Sequence, residues 1–325
     1  MGNSNSSTYN FESNISAAEY TAVKRYHDFL LGDFYEMKHD PTGETLLMKV
    51  RPLANIQKYQ ESIDRTLKRL SLSHKNLIKI KGFAGREPKD SKQSVYKLYI
   101  YFEHLPKDLS KFLKARRNNT IFKEAGSHSQ KYLSEAELSK IMTQLIDVLE
   151  YLQTNGISHG DIRPEGCFLT ELGNVMICDR KLLYEEDLDL NMQKNSEKHF
   201  LFSPALLESL AKPGRRFREN KHKGDVFSLG MTLLECATLR RSTNVYEWSG
   251  TPSINFGAIM NRLTDVKNRY SPKLCQIIAE MLKFDENIRP DFIKLKKWMN
   301  GSELLAYKTT SFSPPQKVGF IKGSV

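Results

Sequence analysis

The sequence predicts an α+β fold, in which strands dominate the first third of the chain and helices the remainder. Three observations support this: β-rich segments at 26–35, 45–50 and 98–103, a long amphipathic helix that begins after Ser134, and a β-hairpin at 167–178. At 325 residues the chain suits either two domains or one bilobal domain with a sizeable core.

The first third begins with a polar, low-complexity stretch at 1–18, which predicts a disordered arm. Two strands joined by a bend follow at 26–35, and a turn at 41–44 leads into the strand at 45–50. A helix is predicted at 54–70, because Ile63, Leu67 and Leu70 recur at helical spacing. These three residues are therefore expected to form its inward face.

The middle of the chain contains a strand at 98–103 that leads into a helix, and then a polar, basic insertion at 116–131. Ser134 and Glu137 form a capping-box pattern that opens a long helix. Its apolar residues recur on one face, which predicts a core-facing helix rather than a cofactor site. They are Leu138, Ile141, Leu145, Val148, Leu149 and Leu152.

The hairpin at 167–178 has a turn at 172–174 and is flanked by two acids, Asp161 before it and Asp179 after it. Two carboxylates on the same side of a hairpin can orient a hydroxyl group and hold a metal ion. Phosphoryl transfer needs both functions.

The residues around this hairpin resemble those of eukaryotic protein kinases. HGDIRPEGCFL at 159–169 is similar to the catalytic loop, and CDRK at 178–181 stands where the metal-binding DFG motif belongs. DVFSLG at 225–230 is similar to the central helix motif DVWSLG, and the resemblance covers about residues 26–298. It implies a bilobal protein-kinase fold with an N-lobe at 19–103, a C-lobe at 104–302 and a tail at 303–325.

The resemblance also implies roles for individual residues. Lys49 corresponds to the phosphate-binding lysine, Asp161 to the catalytic base, Arg163 to the lysine on the substrate side and Asp179 to the metal ligand. Phe102 is in the gatekeeper position, with Glu103 and Leu105 in the linker that follows. His159, Asp225 and Arg289 match structural positions, and Gly32 is the one retained glycine of the phosphate-covering loop.

The ATP slot that the resemblance implies departs from the family pattern. Phe34 and Leu47 stand above the adenine and Phe168 below it, and each is larger than the usual residue. These side chains are expected to fill the slot themselves. On the preceding helix Ile63 or Arg65 stands where the lysine-pairing glutamate belongs, while Glu61 and Asp64 are near but out of register.

The catalytic loop and the segments that support it are altered as well. Gly166 replaces the asparagine that holds a second metal ion, and glycine offers no side-chain ligand. Gly160 replaces the arginine before the catalytic aspartate. Ala205 stands in the position of the acid that pairs with Arg289. Either Glu208, one turn on, takes its place, or Arg289 is solvated or bound to a partner.

These departures predict a degenerate, catalytically inactive pseudokinase that acts as an interaction or scaffold module. One alternative is a weakly active Ser/Thr protein kinase that uses ATP. A second is a basic module that binds polyanions or a membrane surface through the basic stretch at 212–223. No cofactor is expected, and ATP with Mg²⁺ would be bound only if residual binding persists.

Charge and cysteine content bear on partners and location. The net charge of +11 predicts protein partners with an acidic surface, and nucleic acid is not expected among them. The four cysteines lack metal-ligand spacing and are expected to be reduced. Gly2 fits a myristoylation pattern, which would give weak, conditional membrane contact. Without a secretory signal or a long apolar run, a cytoplasmic location is expected, with attachment to a larger assembly or membrane surface as an option.

Overall fold

The computed structural model describes residues 11–13, 15–28, 32–88, 95–103, 107–118, 132–178, 201–211, 219–249 and 251–301. The chain divides into two compact units, residues 1–107 with 168–196 and residues 108–167 with 197–325. The predictions for Gly2 and the tail at 303–325 fall outside the described residues.

Within the described residues, the first unit contains a six-stranded sheet and one α-helix. The strand order is β1-β5-β6-β4-β3-β2, and every neighbouring pair is antiparallel. The strands are β1 Phe11–Ser13, β2 Tyr20–Asp28, β3 Gly32–His39, β4 Thr45–Leu53, β5 Ile80–Arg86 and β6 Tyr96–Glu103, and the helix α1 is Ile56–Leu70.

The register of the central strands assigns their side chains to two faces of the sheet. Phe34 lies opposite Lys49, and Leu47 lies opposite Phe102. Because side chains two residues apart on a strand share a face, these four form one face, which we call the Lys49 face. The alternate residues of the same strands form the opposite face, called the Met48 face. Its buried members are Met37, Leu46, Met48, Ala84 and Tyr101.

The N-terminal residues that the structure describes correct the prediction of a disordered arm at 1–18. Residues 11–13 form β1, which pairs with β5. A 3₁₀ turn at Ala17–Glu19 follows, and Ala17 is buried against the Met48 face with Ile15 packed beside it. The arm was predicted from its polar composition, which did not reveal that one small apolar residue reaches the sheet.

Helix α1 begins after Asn55, whose side chain accepts a hydrogen bond from the Lys58 amide at 2.9 Å. The predicted inward face is wrong, because Leu67 is 41% exposed and Ile63 and Leu70 are only partly buried. The buried face consists instead of Tyr59, Ser62, Thr66 and Arg69. The helix thus turns a largely polar stripe toward the rest of the first unit.

The hairpin predicted at 167–178 is confirmed. Strands β8 Cys167–Leu169 and β9 Val175–Ile177 flank a turn in which Gly173 has φ +68°. The Thr170 amide donates to the Asn174 carbonyl at 2.9 Å. Strand β9 is fixed to the segment before β5, because the Asn76 side chain donates to the Val175 carbonyl at 2.6 Å.

The second unit is mainly helical. It contains helices α2 Leu109–Arg117, α3 Glu135–Thr154, α4 Pro204–Ala211, α5 Lys221–Thr238, α6 Phe256–Lys267, α7 Pro272–Met281 and α8 Phe292–Met299. Its short strands are β10 Tyr246–Glu247 and β11 Ser253–Ile254, and its 3₁₀ helices are Pro164–Gly166 and Ser242–Val245. Strand β7, Lys107–Asp108, spans the sequence boundary between the two units.

Two helices form the core of this unit. The capping box of α3 is present as predicted, and all six residues of its predicted apolar face are buried. Helix α5 is buried from Gly224 to Thr238 except for Ser228, which is partly buried. None of the helices in the described part of the chain has the length and apolarity needed to cross a bilayer.

Candidate functional site

On the first unit, four of the candidate site residues lie on the Lys49 face. Phe34 and Lys49 are adjacent across β3 and β4, and Leu47 and Phe102 are adjacent across β4 and β6. Phe34 and Phe102 are buried, whereas Leu47 is partly buried. Strand pairing alone therefore brings together the lysine, the gatekeeper position and the two large residues predicted above the adenine.

Lys49 is completely buried, and its ammonium nitrogen lies 5.1 Å from the centre of the Phe34 ring. A buried cation over an aromatic face gains about 2 kcal/mol or more from the ring quadrupole. The aromatic residue at position 34 therefore has an electrostatic effect, because its ring stabilises the lysine charge. A valine, usual at this position in the family, has no π face to offer.

Helix α1 does not present a carboxylate on its buried face. Within this helix, which is described over its full length, Glu61 and Asp64 are both exposed. Ile63 and Arg65, the two residues counted into the glutamate position, are partly buried. That neither acid is in register for Lys49 stays a prediction.

The linker and the lower side of the slot are described only in part. Glu103 is bound to the start of β5, since its Oε1 accepts the Lys79 amide at 2.8 Å and its own amide donates to the Lys79 carbonyl at 3.1 Å. Phe168 lies on β8 and is partly buried, and Gly32 begins β3. Leu105 falls outside the described residues.

On the second unit, Asp161 and Arg163 form a buried ion pair. The Arg163 Nε lies 3.1 Å from each carboxylate oxygen of Asp161, and both side chains are at most 6% exposed. In this pair a guanidinium neutralises the carboxylate that the resemblance assigns as catalytic base. Removing one partner of such a pair would leave a buried charge uncompensated.

The loop around Asp161 is fixed by hydrogen bonds to Asp225 of α5. Both carboxylate oxygens of Asp225 accept backbone hydrogen bonds, from the His159 amide and from the Gly160 amide, each at 2.7 Å. The imidazole of His159 accepts the Asp161 amide through Nδ1 at 3.2 Å. Gly160 has φ +82°, a conformation that glycine adopts without strain.

The metal-binding part of the site is represented by Gly166 alone. Gly166 ends the 3₁₀ helix Pro164–Gly166, and its neighbours leave room for a side chain, since a Cβ at this position would meet no atom closer than the Asp161 carbonyl oxygen at 3.5 Å. As glycine it contributes no side-chain ligand. Asp179, Arg180 and Lys181 fall outside the described residues.

Arg289 is neither solvated nor paired with Glu208, contrary to the alternatives drawn from the sequence. It is 1% exposed and donates to three carbonyl oxygens, those of Lys283, Lys223 and Phe284, at 2.7 to 3.0 Å. Burial lowers the pKa of its guanidinium to about 10, and the neighbouring acid Glu219 opposes this shift. Glu208 is exposed on α4.

Glu219 is the residue that the sequence reasoning missed. Its carboxylate accepts a hydrogen bond from the Ser203 hydroxyl at the start of α4, and it lies within electrostatic reach of Arg289. Burial raises the pKa of Glu219, against the opposing effects of Ser203 and Arg289. The one feature of the sequence that could have indicated a role for Glu219 is that it is the single acid in the basic stretch 212–223. Among the acids that act on Arg289, which are Glu219, Glu286 and Asp285, Glu219 has the largest effect.

Comparison with known proteins agrees with these features. The protein kinase domain profile matches residues 31–299. The dual specificity mitogen-activated protein kinase kinase mek-1 of Caenorhabditis elegans is 27% identical over 165 residues, which cover 49% of this chain and 44% of that protein. The membrane-associated tyrosine- and threonine-specific cdc2-inhibitory kinase wee-1.3 of the same organism is 32% identical over 164 residues, 49% of this chain and 21% of that protein.

A protein of Acanthamoeba polyphaga mimivirus, named as a serine/threonine-protein kinase, is similar over a longer stretch. It is 24% identical over 267 residues, 79% of this chain and 85% of that protein. The chain spans less than half the length of both nematode relatives. The predicted α+β fold, with a sheet-rich first part and a helical second part, is confirmed by the structure and the profile match. The chain belongs to the eukaryotic protein kinase superfamily.

Proposed function

We propose that this protein is a pseudokinase, a kinase-domain protein that serves as an interaction or scaffold module and transfers little or no phosphate. The observation that carries the proposal is the buried Lys49 ammonium over the Phe34 ring. In ATP-binding members of the family this lysine neutralises phosphate charge. Here the Phe34 ring, and not only a bound phosphate, stabilises the positive charge of Lys49.

The catalytic loop supports the same proposal independently. Asp161 is held in a buried ion pair with Arg163, and Gly166 cannot contribute a side-chain metal ligand. Phosphoryl transfer depends on positioned groups and neutralised phosphate charge, so each loss lowers the rate separately. Since Lys49, Asp161 and Asp179 are all present in the sequence, a weakly active Ser/Thr kinase is the second candidate.

A phosphate-transfer assay separates these two candidates. The full-length protein is incubated with radiolabelled ATP and a general protein substrate, with Mg²⁺ and with Mn²⁺, beside the Asp161→Asn variant. The expected result is background incorporation that does not differ between the two proteins. Incorporation by the wild type that the variant loses would overturn the proposal and favour the weakly active kinase.

A melting curve tests nucleotide binding directly. Ligands that bind only the folded state raise Tm, so a functional ATP site would show an ATP-dependent shift that grows with Mg²⁺. We expect no shift, or a small one indifferent to Mg²⁺. A Mg²⁺-dependent shift of several degrees would contradict the idea that side chains fill the slot.

The proposed partners are proteins with acidic surfaces, in keeping with the net charge of +11. The cytoplasmic location and the weak membrane contact through Gly2 remain predictions. The basic stretch at 212–223 remains a prediction too, because residues 212–218 fall outside the described part of the chain.

A further inference from the structure

The N-terminal segment, residues 11–20, covers two surfaces of the sheet in the first unit. Its strand β1 pairs with β5 through Phe11 opposite Gly85, Glu12 opposite Ala84 and Ser13 opposite Phe83. Without β1, the outer edge of β5 would expose unpaired backbone amide and carbonyl groups. Such an edge readily accepts another extended chain.

After β1 the segment crosses the Met48 face. Ala17 is 5% exposed and packs with Met37, Leu46, Met48, Ala84 and Tyr101, while Ile15 and Tyr20 pack at the margin of this cluster. If the segment were removed, these side chains would form a contiguous apolar patch. Patches of this kind on soluble proteins often mark binding sites.

Apart from strand pairing, such as that of β1 with β5, the polar contacts that we find between the segment and the sheet join Glu19 to His39 and Asp40. The Glu19 carbonyl accepts the Asp40 amide at 2.9 Å, and the Glu19 carboxylate lies 3.2 Å from the His39 Nε2. The Tyr20 ring is 4.8 Å from the His39 ring, measured between centroids. A three-residue strand and one 3₁₀ turn can open without disrupting the rest of the sheet, because local opening costs less than global unfolding.

The charge of the segment differs from that of the chain. Residues 11–20 include two acids, Glu12 and Glu19, and no Lys or Arg, whereas the whole chain has a net charge of +11. The covered face includes two basic residues, Arg86 on β5 and its cross-strand neighbour Lys97 on β6, because they share the face of Ala84, Tyr99 and Tyr101. The covered surface therefore suits an acidic segment.

We propose that the β5 edge and the Met48 face form a docking surface for an extended, acidic peptide segment of a partner protein. This segment would pair with β5 as a strand and place a small apolar side chain where Ala17 lies. Residues 11–20 of the chain itself are the resident occupant, which such a partner displaces. The Met48 face is opposite the Lys49 face, so the proposal holds whether or not the protein transfers phosphate.

The experiment uses two full-length variants, Ala17→Glu and the matched control Ala18→Glu, whose position is exposed. The probe is a fluorescently labelled peptide of residues 9–22 with the wild-type sequence. A buried, unpaired carboxylate at position 17 should release the resident segment, whereas position 18 should tolerate it. We expect the Ala17→Glu protein to bind the peptide about tenfold or more tightly than the control or the wild type, since the competing resident segment is weakened.

Two altered peptides define the chemistry of the bound segment. A peptide with Ala17→Glu should not bind, and one with Glu12→Lys and Glu19→Lys should bind about tenfold more weakly than the wild-type peptide. Equal binding of the labelled peptide to both full-length variants, or none to a folded Ala17→Glu protein, would overturn the docking surface. Equal binding of the Lys-substituted peptide would overturn the requirement for an acidic partner.

Hydrogen exchange on the wild-type protein provides a second measurement, in case the Ala17→Glu variant does not fold. If the segment opens independently, the amides between β1 and β5 should exchange at least about tenfold faster than those between β4 and β6. Equal exchange rates in the two places would show that the segment does not open by itself, and the proposal would fail. Neither result depends on catalytic activity.

Discussion

Gly160 and Gly166 lie six residues apart in the same loop, and only Gly160 requires glycine. Gly160 has φ +82°, which is strained for residues with a Cβ even though the surrounding space is open. Gly166 has no such backbone conformation, and a Cβ there would be in ordinary contact at 3.5 Å. The two departures from the family pattern thus differ physically. The backbone conformation favours glycine at position 160, whereas it does not do so at position 166.

Stability measurements on alanine variants test this difference. Gly160→Ala should lower the free energy of unfolding by about 1 kcal/mol or more, because alanine must adopt the left-handed conformation. Gly166→Ala is the matched control and should stay within about 0.5 kcal/mol of the wild type. Chemical denaturation monitored by circular dichroism measures both. Equal losses for the two variants would contradict the backbone argument.

Glu219 predicts a specific pH dependence of stability. Burial raises the pKa of its carboxyl in the folded state, so the folded protein holds this proton more tightly than the unfolded chain does. Its contribution to stability is therefore fully present below the unfolded pKa of 4.5 and is lost as pH rises through the raised folded pKa. Of the neighbouring charged groups, Arg289 lowers the pKa of Glu219 and Glu286 raises it.

The variant Glu219→Gln cannot titrate at this position and keeps a side-chain oxygen that can accept from Ser203. Its Tm relative to the wild type should increase as pH is raised from about 4 to about 7. Thermal melts over this pH range provide the measurement. Parallel curves for the two proteins would mean that Glu219 is not buried in the way the structure places it.

At the scale of elements, the proposed exclusion of a nucleotide rests on strands β3 and β4. They place Phe34, Leu47 and Lys49 on one face, and the large side chains sit where the family has smaller ones. The double variant Phe34→Val with Leu47→Ala restores the usual sizes and removes the ring over Lys49. Millimolar ATP should raise the Tm of this double variant by a few degrees and leave the Tm of the wild type unchanged.

Val50→Ala is the control for this experiment, because Val50 lies on the same strand but packs against the cluster on the opposite face. It should cost about 1 kcal/mol of stability and confer no response to ATP. If the double variant remains insensitive to ATP, large residues at 34 and 47 are not what excludes the nucleotide.

Helix α1 shows where sequence patterns were insufficient. The positions Ile63, Leu67 and Leu70 have helical spacing, yet the buried face is Tyr59, Ser62, Thr66 and Arg69. Apolar spacing is a reliable guide only when the surroundings of a helix are themselves apolar, as for α3, whose face was predicted correctly. The side of α1 that is buried also depends on tertiary contacts that its own sequence does not contain.

For the molecule as a whole, the sequence predicted the fold because motifs at 159–169, 178–181 and 225–230 recur at family spacing. It did not predict two chain-specific features. The N-terminal segment was missed because a three-residue strand in polar sequence has no period to detect. Glu219 was missed because its partners, Ser203 and Arg289, are distant in sequence and become neighbours only through packing.

The net charge of +11 gives a prediction at this scale. Binding to heparin, used as a model polyanion, should weaken steeply with salt. Reversing Arg215, Arg216 and Arg218 to Glu should lower the salt concentration for elution more than reversing Lys58, Lys68 and Lys140, which are exposed elsewhere. Equal effects of the two triple variants would mean that total charge, and not the stretch at 212–223, governs the interaction.

The close approach of Gly224 to Glu219 limits how these positions can change during evolution. A Cβ at position 224 would lie 2.6 Å from the Glu219 Oε1, so any larger residue pushes the carboxylate away from Ser203 and Arg289. A shorter residue at 219 would relieve that collision but would draw its side chain back from Ser203. Substitutions at the two sites are therefore expected to be epistatic. Once Glu219 is replaced by a small residue, a Cβ at position 224 no longer collides with its carboxylate, and once Gly224 is replaced, Glu219 no longer keeps its present contacts.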